Sequence, residues 1–395
     1  MMDSAALTRC LQEQLVASAH EYFLFGDRAL SERVKEAFFA VPRHQFVDRY
    51  KALGGASWIE INDANLAEHL PVLYRDNGLG IGVGASGEVV TISGPTWVLY
   101  MLELLEIEPG HRVFEVGAGS GWNAALMGNL AGPCGYVESV EIIPDLAKRA
   151  AASLARAGFA NVRVVCGDAG FGSVDGELFD RVVFTAGSYD IPAWLHGRVR
   201  VGGLLLLALK FPGGGDFIIL FRREPDHFEA LTSRACEVVW MRGKTHDAGL
   251  DPVLLEDFPP WRRLRERTSG SRPFACGGRS AAGLAKRTVG LRSFLSLCEP
   301  RMQWFVGPEG WPFYSFGLFD ETTDSFALVR DGRLHSHGGM SATEALLRRI
   351  HEWVELGMPS AESMQLRAYR SGAAPAASDG EILVPRASTD FLWSV

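Results

Sequence analysis

The chain has 395 residues, 47% hydrophobic and 22% charged, with a formal net charge of −8. This is enough apolar material for at least one full core and, by length, two or three domains. The acidic balance disfavours a general nucleic-acid binder, whose phosphate contacts need clustered cations.

Residues 1–75 predict a helical part: "LTRCLQEQLVASAHEYF" and "SERVKEAFFAVPRHQFV" space apolar side chains at three and four, Ser31 is a candidate N-cap, and Pro42 ends the second helix. The opening lacks both the apolar core of a secretory signal and the Arg-rich look of a transit peptide. The longest apolar run, "GLLLLALKF", is too short to cross a bilayer. A cytoplasmic protein without membrane contact is therefore expected. Over 76–250 the pattern alternates: "TWVLYMLELLEI" helix, "HRVFEV" strand, "GWNAALMGNL" helix, "GYVESVEI" strand, "PDLAKRAAASLARAG" helix, then "VRVVCGD" and "FDRVVFTA" strands. "GGLLLLALK" and "DFIILFRRE" come next as an expected antiparallel pair. Short apolar strands interleaved with amphipathic helices predict an α/β, doubly wound, mostly parallel sheet.

Residues 251–300 mix proline, glycine and arginine without period and read as a connector. Between Pro259 and Arg301 stand ten Lys or Arg against Glu266 and Glu299. That is either a solvated face or a docking place for an acidic partner. Residues 301–395 predict a small α+β domain of short strands around one helix, with Ser341 and Glu344 as a capping box and Gly357 and Pro359 as stops. His335 and His337 share a strand face, but no acid or cysteine completes a metal set, so both read as surface residues. Six scattered cysteines without a C-x-x-C pair predict neither zinc nor disulfides.

The candidate site begins at "VFEVGAGSGW": a strand ending in Glu115, the loop Gly117, Ala118, Gly119, Gly121, then a helix. Dinucleotide sites prefer G-x-G-x-x-G over a pyrophosphate, whereas here the third glycine comes one residue early and an acid precedes the loop. Glu115 is badly placed for phosphate and well placed for a cation, which favours S-adenosylmethionine, a sulfonium nucleoside without phosphate. The next strand ends at Glu141 and Ile142, where a carboxylate can accept both ribose hydroxyls; the third ends at Gly167, Asp168 and Ala169, where Asp168 can accept from the adenine amino group. A plain structural turn and a dinucleotide site stay open on these residues alone. "VVFTAGSYD", carrying Thr185, has no Pro-Pro-Tyr-like clamp for a base amine, and no metal-ligand cluster lies beside the loop.

Upstream, "VPRHQFV" (Val41–Val47) and "VVTISGPTW" precede the glycine loop in an order that resembles the protein-L-isoaspartate O-methyltransferase family, over roughly residues 5 to 245. The resemblance implies a class I methyltransferase fold with Rossmann-like topology. It also implies methyl transfer from S-adenosylmethionine, leaving S-adenosylhomocysteine, to the free carboxylate of an isoaspartyl residue in a polypeptide, and closure of the ester to a succinimide. It makes Ser93 the residue that touches the acceptor carboxylate and Thr91, Ile92 and Pro95 the turn that presents it; Thr185 is placed with this acceptor side. Ser93 is equally suited to cap the helix beginning near Pro95. The chain departs from the family in the longer stretch "GIGVGASGEVV" and in its continuation after "FIILFRRE". That length is similar to relatives that tailor ribosomally made peptides through an aspartimide, with an acidic precursor docking on the basic connector. General repair, dedicated peptide modification, a small-molecule carboxyl methyltransferase and a peptide-binding module without turnover are the readings these residues leave open.

Overall fold

The computed structural model describes residues 3–19, 29–84, 87–174, 176–211, 216–236, 238–246, 253–274, 281–306, 315–360 and 362–394, with side chains of 281–289 outside that set. The chain opens with helices α1 (Ser4–Ala19) and α2 (Glu32–Ala40). The Ser31 hydroxyl caps α2 by accepting from the Val34 amide at 3.4 Å, and the helix stops at Val41, before Pro42. The expected continuation of α1 to Phe23 lies outside the described residues. Beyond α2 the chain is not wholly helical: β1 (Arg49–Ala52), β2 (Ile59–Glu60), helix α3 (Leu66–Leu73), β3 (Leu79–Val83) and β4 (Val89–Ile92) build an antiparallel sheet in the order β2-β1-β3-β4. Strands as short as β1 and β2 carry too few residues for an alternation to be read.

The alternating region forms α4 (Pro95–Leu105), β5 (Arg112–Val116), α5 (Trp122–Ala131), β6 (Tyr136–Glu141), α6 (Pro144–Arg156), β7 (Val162–Cys166), β8 (Phe179–Phe184), β9 (Val199–Lys210), β10 (Asp216–Arg223) and β11 (His227–Cys236). Strands β9-β8-β5-β6-β7 are parallel neighbours; β9 and β10 are the expected antiparallel pair, and β11, which was not expected, continues it. Chain order reverses on either side of β5, whose neighbours are β6 and β8. The carboxyl end of β5 is therefore the topological switch point, where open α/β sheets leave a crevice.

The expected connector is folded rather than aperiodic: it carries β12 (Val253–Leu254), α7 (Pro259–Leu264), β13 (Thr268–Pro273) and α8 (Ala281–Cys298), while the boundary at 250/251 and residues 275–280 lie outside the described set. Then come β14 (Met302–Val306), β15 (Ser315–Asp320), β16 (Ser325–Arg330), β17 (Arg333–Gly338), α9 (Ser341–Glu355), β18 (Gln365–Arg370), β19 (Glu381–Pro385) and β20 (Thr389–Ser394). A six-stranded sheet orders them β12-β14-β15-β16-β17-β13, but β18, β20 and β19 join β11 and lengthen the central sheet to ten strands. The two regions also share one apolar core, in which Phe114 and Phe184 cluster with Trp304, Trp353 and Trp393. Strand pairing is long-range, so residue spacing carries no sign that the last strands return to the first sheet.

Other local expectations change for identifiable reasons. The Ser341–Glu344 capping box does not form, because the Ser341 hydroxyl donates to Asp320 at 2.7 Å and Met340 holds the N-cap position. His337 is buried, its ring edge-on to Trp261 at 5.1 Å, rather than at the surface. Five of the segment's ten cations are paired among the described residues: Arg263 and Arg267 share Asp324, Arg262 meets Asp257, Arg265 meets Glu256, and Arg301 meets Glu299. No helix among the described residues is long and apolar enough to cross a membrane, and no group of three metal-ligating side chains occurs among them.

Candidate active site

A cavity of about 1260 Å³ opens at the switch point. Its walls bring together the glycine loop (Gly117, Ala118, Gly119), the strand-end residues Glu141, Ile142, Gly167, Asp168 and Ala169, and the turn Thr91, Ile92, Ser93. Thr185 also lines it, whereas Glu115, Gly121 and Pro95 do not.

The loop is bare because its path demands it. Gly117, Gly119 and Gly121 have φ of +94°, +53° and +84°, values that side chains resist. A Cβ on Gly117 would stand 2.4 Å from the Thr185 hydroxyl, and one on Gly121 would press on the α6 backbone at Ala150. The amides of this loop are already engaged: Gly117 and Ala118 donate to Val140 O, Gly119 donates to Glu141 at 2.8 Å, and Gly121 donates to Ala118 O. A pyrophosphate grip needs free amides. These four are consumed by the chain, so the loop offers carbonyls and space, which suit a cation and not a phosphate.

Glu115 is placed differently from the expectation. It is fully buried beneath the loop, accepting from the Ser139 hydroxyl and from Asn123 Nδ2 at 2.7 Å, and burial pushes its carboxyl up to about 7. It reaches the cavity at one remove. It holds the side-chain amide of Asn123, a residue of the cavity wall whose Oδ1 is buried without a partner among the described residues. Glu141 is 5% exposed, with its ordinary pKa raised by burial, and accepts from the amides of Gly119 and Ile143. Two amide bonds leave two of the four lone-pair positions of a carboxylate for hydroxyl groups. Asp168 accepts from the amides of Gly170 and Lys244 at 2.8 and 2.7 Å. The Thr185 hydroxyl bonds to the carbonyls of Val116 and Gly117, so it braces the loop instead of facing an acceptor.

On the opposite wall the capping role expected of Ser93 belongs to Asp76, whose carboxylate accepts from the Thr96 amide at 2.9 Å at the start of α4; Gly94 is the N-cap residue and Pro95 is buried at the first helical position. The Ser93 hydroxyl has no hydrogen-bond partner among the described residues, while its carbonyl accepts from Arg43 Nη2 at 2.8 Å. Arg43, from the V-P-R stretch, is wholly buried and also donates to the carbonyls of Leu73 and Asn77. Burial lowers its pKa to about 10, which leaves it charged at neutral pH behind the Ser93 turn. Sequence reasoning missed Arg43, Asp76 and Asn123 as site builders, although the V-P-R motif was a signal for the first. It also missed the segment after β11: Trp240 is brought to the cavity by a parallel bridge to Gly187, and Lys210 donates to Val238 O at 3.2 Å. No local pattern announces a bridge of two residues.

Sheet order, crevice and loop chemistry together define a class I S-adenosylmethionine-dependent methyltransferase, whose neighbours among solved structures have the same mixed sheet and flanking helices. The family model for protein-L-isoaspartate(D-aspartate) O-methyltransferase matches residues 24–242, and the chain belongs to that family of carboxyl methyltransferases. It is 36% identical to the protein-L-isoaspartate O-methyltransferase of Methanothrix thermoacetophila over 196 residues, 50% of this chain and 79% of the relative. It is 40% identical to that of Thermococcus sibiricus over 179 residues, 45% of this chain and 69% of the relative. A solved protein-L-isoaspartate O-methyltransferase aligns over 90% of this chain and 96% of its own, with a TM-score of 0.54 and 21% identity. The curated relatives match only about half of this chain, in keeping with the expected C-terminal continuation, and the solved structure adds a likeness in fold over 90% of it.

Proposed function

We propose that the chain methylates the free carboxylate of an L-isoaspartyl residue in a polypeptide. One observation carries the reading: a single cavity holds both the glycine loop with Glu141 and the Ser93 turn, so donor and acceptor groups meet in one space. S-adenosylmethionine, when bound, supplies a methyl group activated by its sulfonium charge. The chain's residues fit it: Glu141 has lone pairs left for ribose hydroxyls, and Asp168 in the same wall would take the adenine amino group.

Ser93 donates its unpartnered hydroxyl to one carboxylate oxygen of the acceptor and needs no activation. A carboxyl group with a pKa near ~4 is already ionised at neutral pH, so no general base is required. What the protein adds is orientation, which can contribute roughly 7 to 11 kcal/mol in well-ordered cases. Trp97, Val98 and Met101 on α4 line the same cavity and displace water from it. Isoaspartyl substrates are favoured over a dedicated precursor peptide because the names of the relatives specify isoaspartate.

The test is incubation with labelled S-adenosylmethionine and paired peptides that differ only in isoaspartyl against aspartyl. Base-labile methyl ester on the isoaspartyl peptide is expected. Cofactor binding without ester on either peptide would leave the scaffold reading in its place.

A further inference from the structure

Among the described residues, the charged side chains in the wall of the cavity are Asp76, Glu88, Glu141, Asp168 and Arg242, with His246 beside them. A polypeptide arriving with a carboxylate meets four acids and one permanent cation. Arg242 comes from the segment after β11 and Glu88 from the start of β4, and their side chains pair at 2.6 Å across the cavity, each about one-third exposed. Strand β4 is the last of its sheet, paired with β3 on one side; no described strand takes its other side, and Val89 to Ile92 line the cavity. From Glu88 to Ser93 is five residues along that strand, or about 16 Å at roughly 3.3 Å per residue.

We propose that Arg242 is a specificity-determining residue that selects isoaspartyl sites with an acidic side chain four or five positions away in the substrate. The inference rests on the reading of Ser93 as the acceptor contact. An extended polypeptide beside β4, with its isoaspartyl residue at Ser93, brings a side chain that far along to Arg242. An acid there exchanges with Glu88 for the guanidinium, carboxylate for carboxylate, so the cation stays paired throughout. A lysine there meets Arg242 and is repelled. In the resting protein Glu88 keeps the guanidinium at the wall and competes for it, which makes the two residues opposite in effect. A merely structural ion pair predicts the same sign for both.

The experiment measures kcat/KM on three isoaspartyl peptides of one neutral host sequence, unchanged or with Glu or Lys placed four residues to either side, using the full chain. At low ionic strength the unmodified protein is expected to prefer Glu over Lys by about threefold to tenfold, because half-exposed pairs contribute modestly. The preference should fall away in about 0.5 M salt. Arg242→Gln should bring the ratio to about one, and Glu88→Gln should raise it. S-adenosylhomocysteine affinity, measured by calorimetry, reports folding of each variant. An equal ratio in the unmodified protein and Arg242→Gln, or a shift in the same direction for both variants, overturns the proposal while leaving the isoaspartyl reading intact. Absence of ester on every peptide with the unmodified protein overturns both.

Discussion

Gly117→Ala tests whether the donor loop is held in its path by sterics. At φ +94° an alanine incurs backbone strain of about 1–3 kcal/mol. Its Cβ would also stand 2.4 Å from Thr185 Oγ1, which must leave the carbonyls of Val116 and Gly117, at a net loss of about 0.5–1.5 kcal/mol per bond. The sum is about 2–6 kcal/mol in a denaturant titration, with weaker binding of S-adenosylhomocysteine by calorimetry. Gly110, at φ +86° with no atom within 4 Å of an added Cβ, isolates strain alone, so Gly110→Ala should cost about 1–3 kcal/mol and leave binding unchanged. In Thr185→Ala the next atom lies at 3.7 Å, an ordinary contact, and the pair Gly117→Ala with Thr185→Ala should be more stable than the two single costs predict. Additivity within about 0.3 kcal/mol would mean that the clash does not exist and that the steric account of the loop is wrong.

Ser93→Ala should lower kcat/KM on an isoaspartyl peptide about tenfold or more, the loss of a hydrogen bond to a charged oxygen, with the denaturation midpoint nearly unmoved because its hydroxyl supports no helix. Asp76→Ala should do the reverse in stability, losing about 1 kcal/mol at the cap of α4. Burial holds the proton on Glu115 up to about 7 in the folded chain against 4.5 for the free group, so its contribution to stability is complete below about 4.5 and is lost as pH rises through about 7. Glu141 shifts in the same direction through burial. The melting temperature of the unmodified protein should therefore gain on that of Glu115→Gln between about pH 8 and about pH 6, and parallel curves would contradict a buried, proton-holding carboxyl. A chain ending at residue 250 should be insoluble: without β18, the edge of β11 at His227–Glu229 loses its partner, and the shared core loses Trp304, Trp353 and Trp393. A soluble, cooperatively melting truncation would show the C-terminal strands to be dispensable.

The donor side was legible because its constraints are local. Gly117, Gly119 and Gly121 must be glycine wherever that turn occurs, and Glu141 and Asp168 end strands whose apolar runs can be counted. The acceptor wall was legible only in part. The Ser93 turn, read from its motif, lines the cavity, but the group that caps α4 is Asp76, twenty residues from Thr96, and the group that holds the turn is Arg43, fifty residues from Ser93. Neither separation leaves a period in the sequence. The return of β18–β20 to the central sheet was invisible for the same reason, since an edge strand records which face is apolar and not which strand it will meet.

The burial of Glu115 has a chemical lesson for the site. An acid before the glycine loop was expected to face a cation; the chain buries it beneath the loop against Ser139 and Asn123. A bare carboxylate in the wall would attract water and any cation, and its charge would oppose an incoming anion. Buried under the loop, Glu115 accepts from Ser139 and Asn123, fixes the orientation of the Asn123 amide and stands back from the acceptor. Arg43 lies charged behind Ser93 on the other side of the cavity. Replacing Asn123 by aspartate would put a second acid against Glu115 and a negative charge in the wall. The expected result is a weaker reaction with the anionic acceptor, seen as a raised KM for the isoaspartyl peptide even if S-adenosylmethionine binds as well as before. An unchanged KM would mean that the charge balance of this wall does not govern acceptor entry.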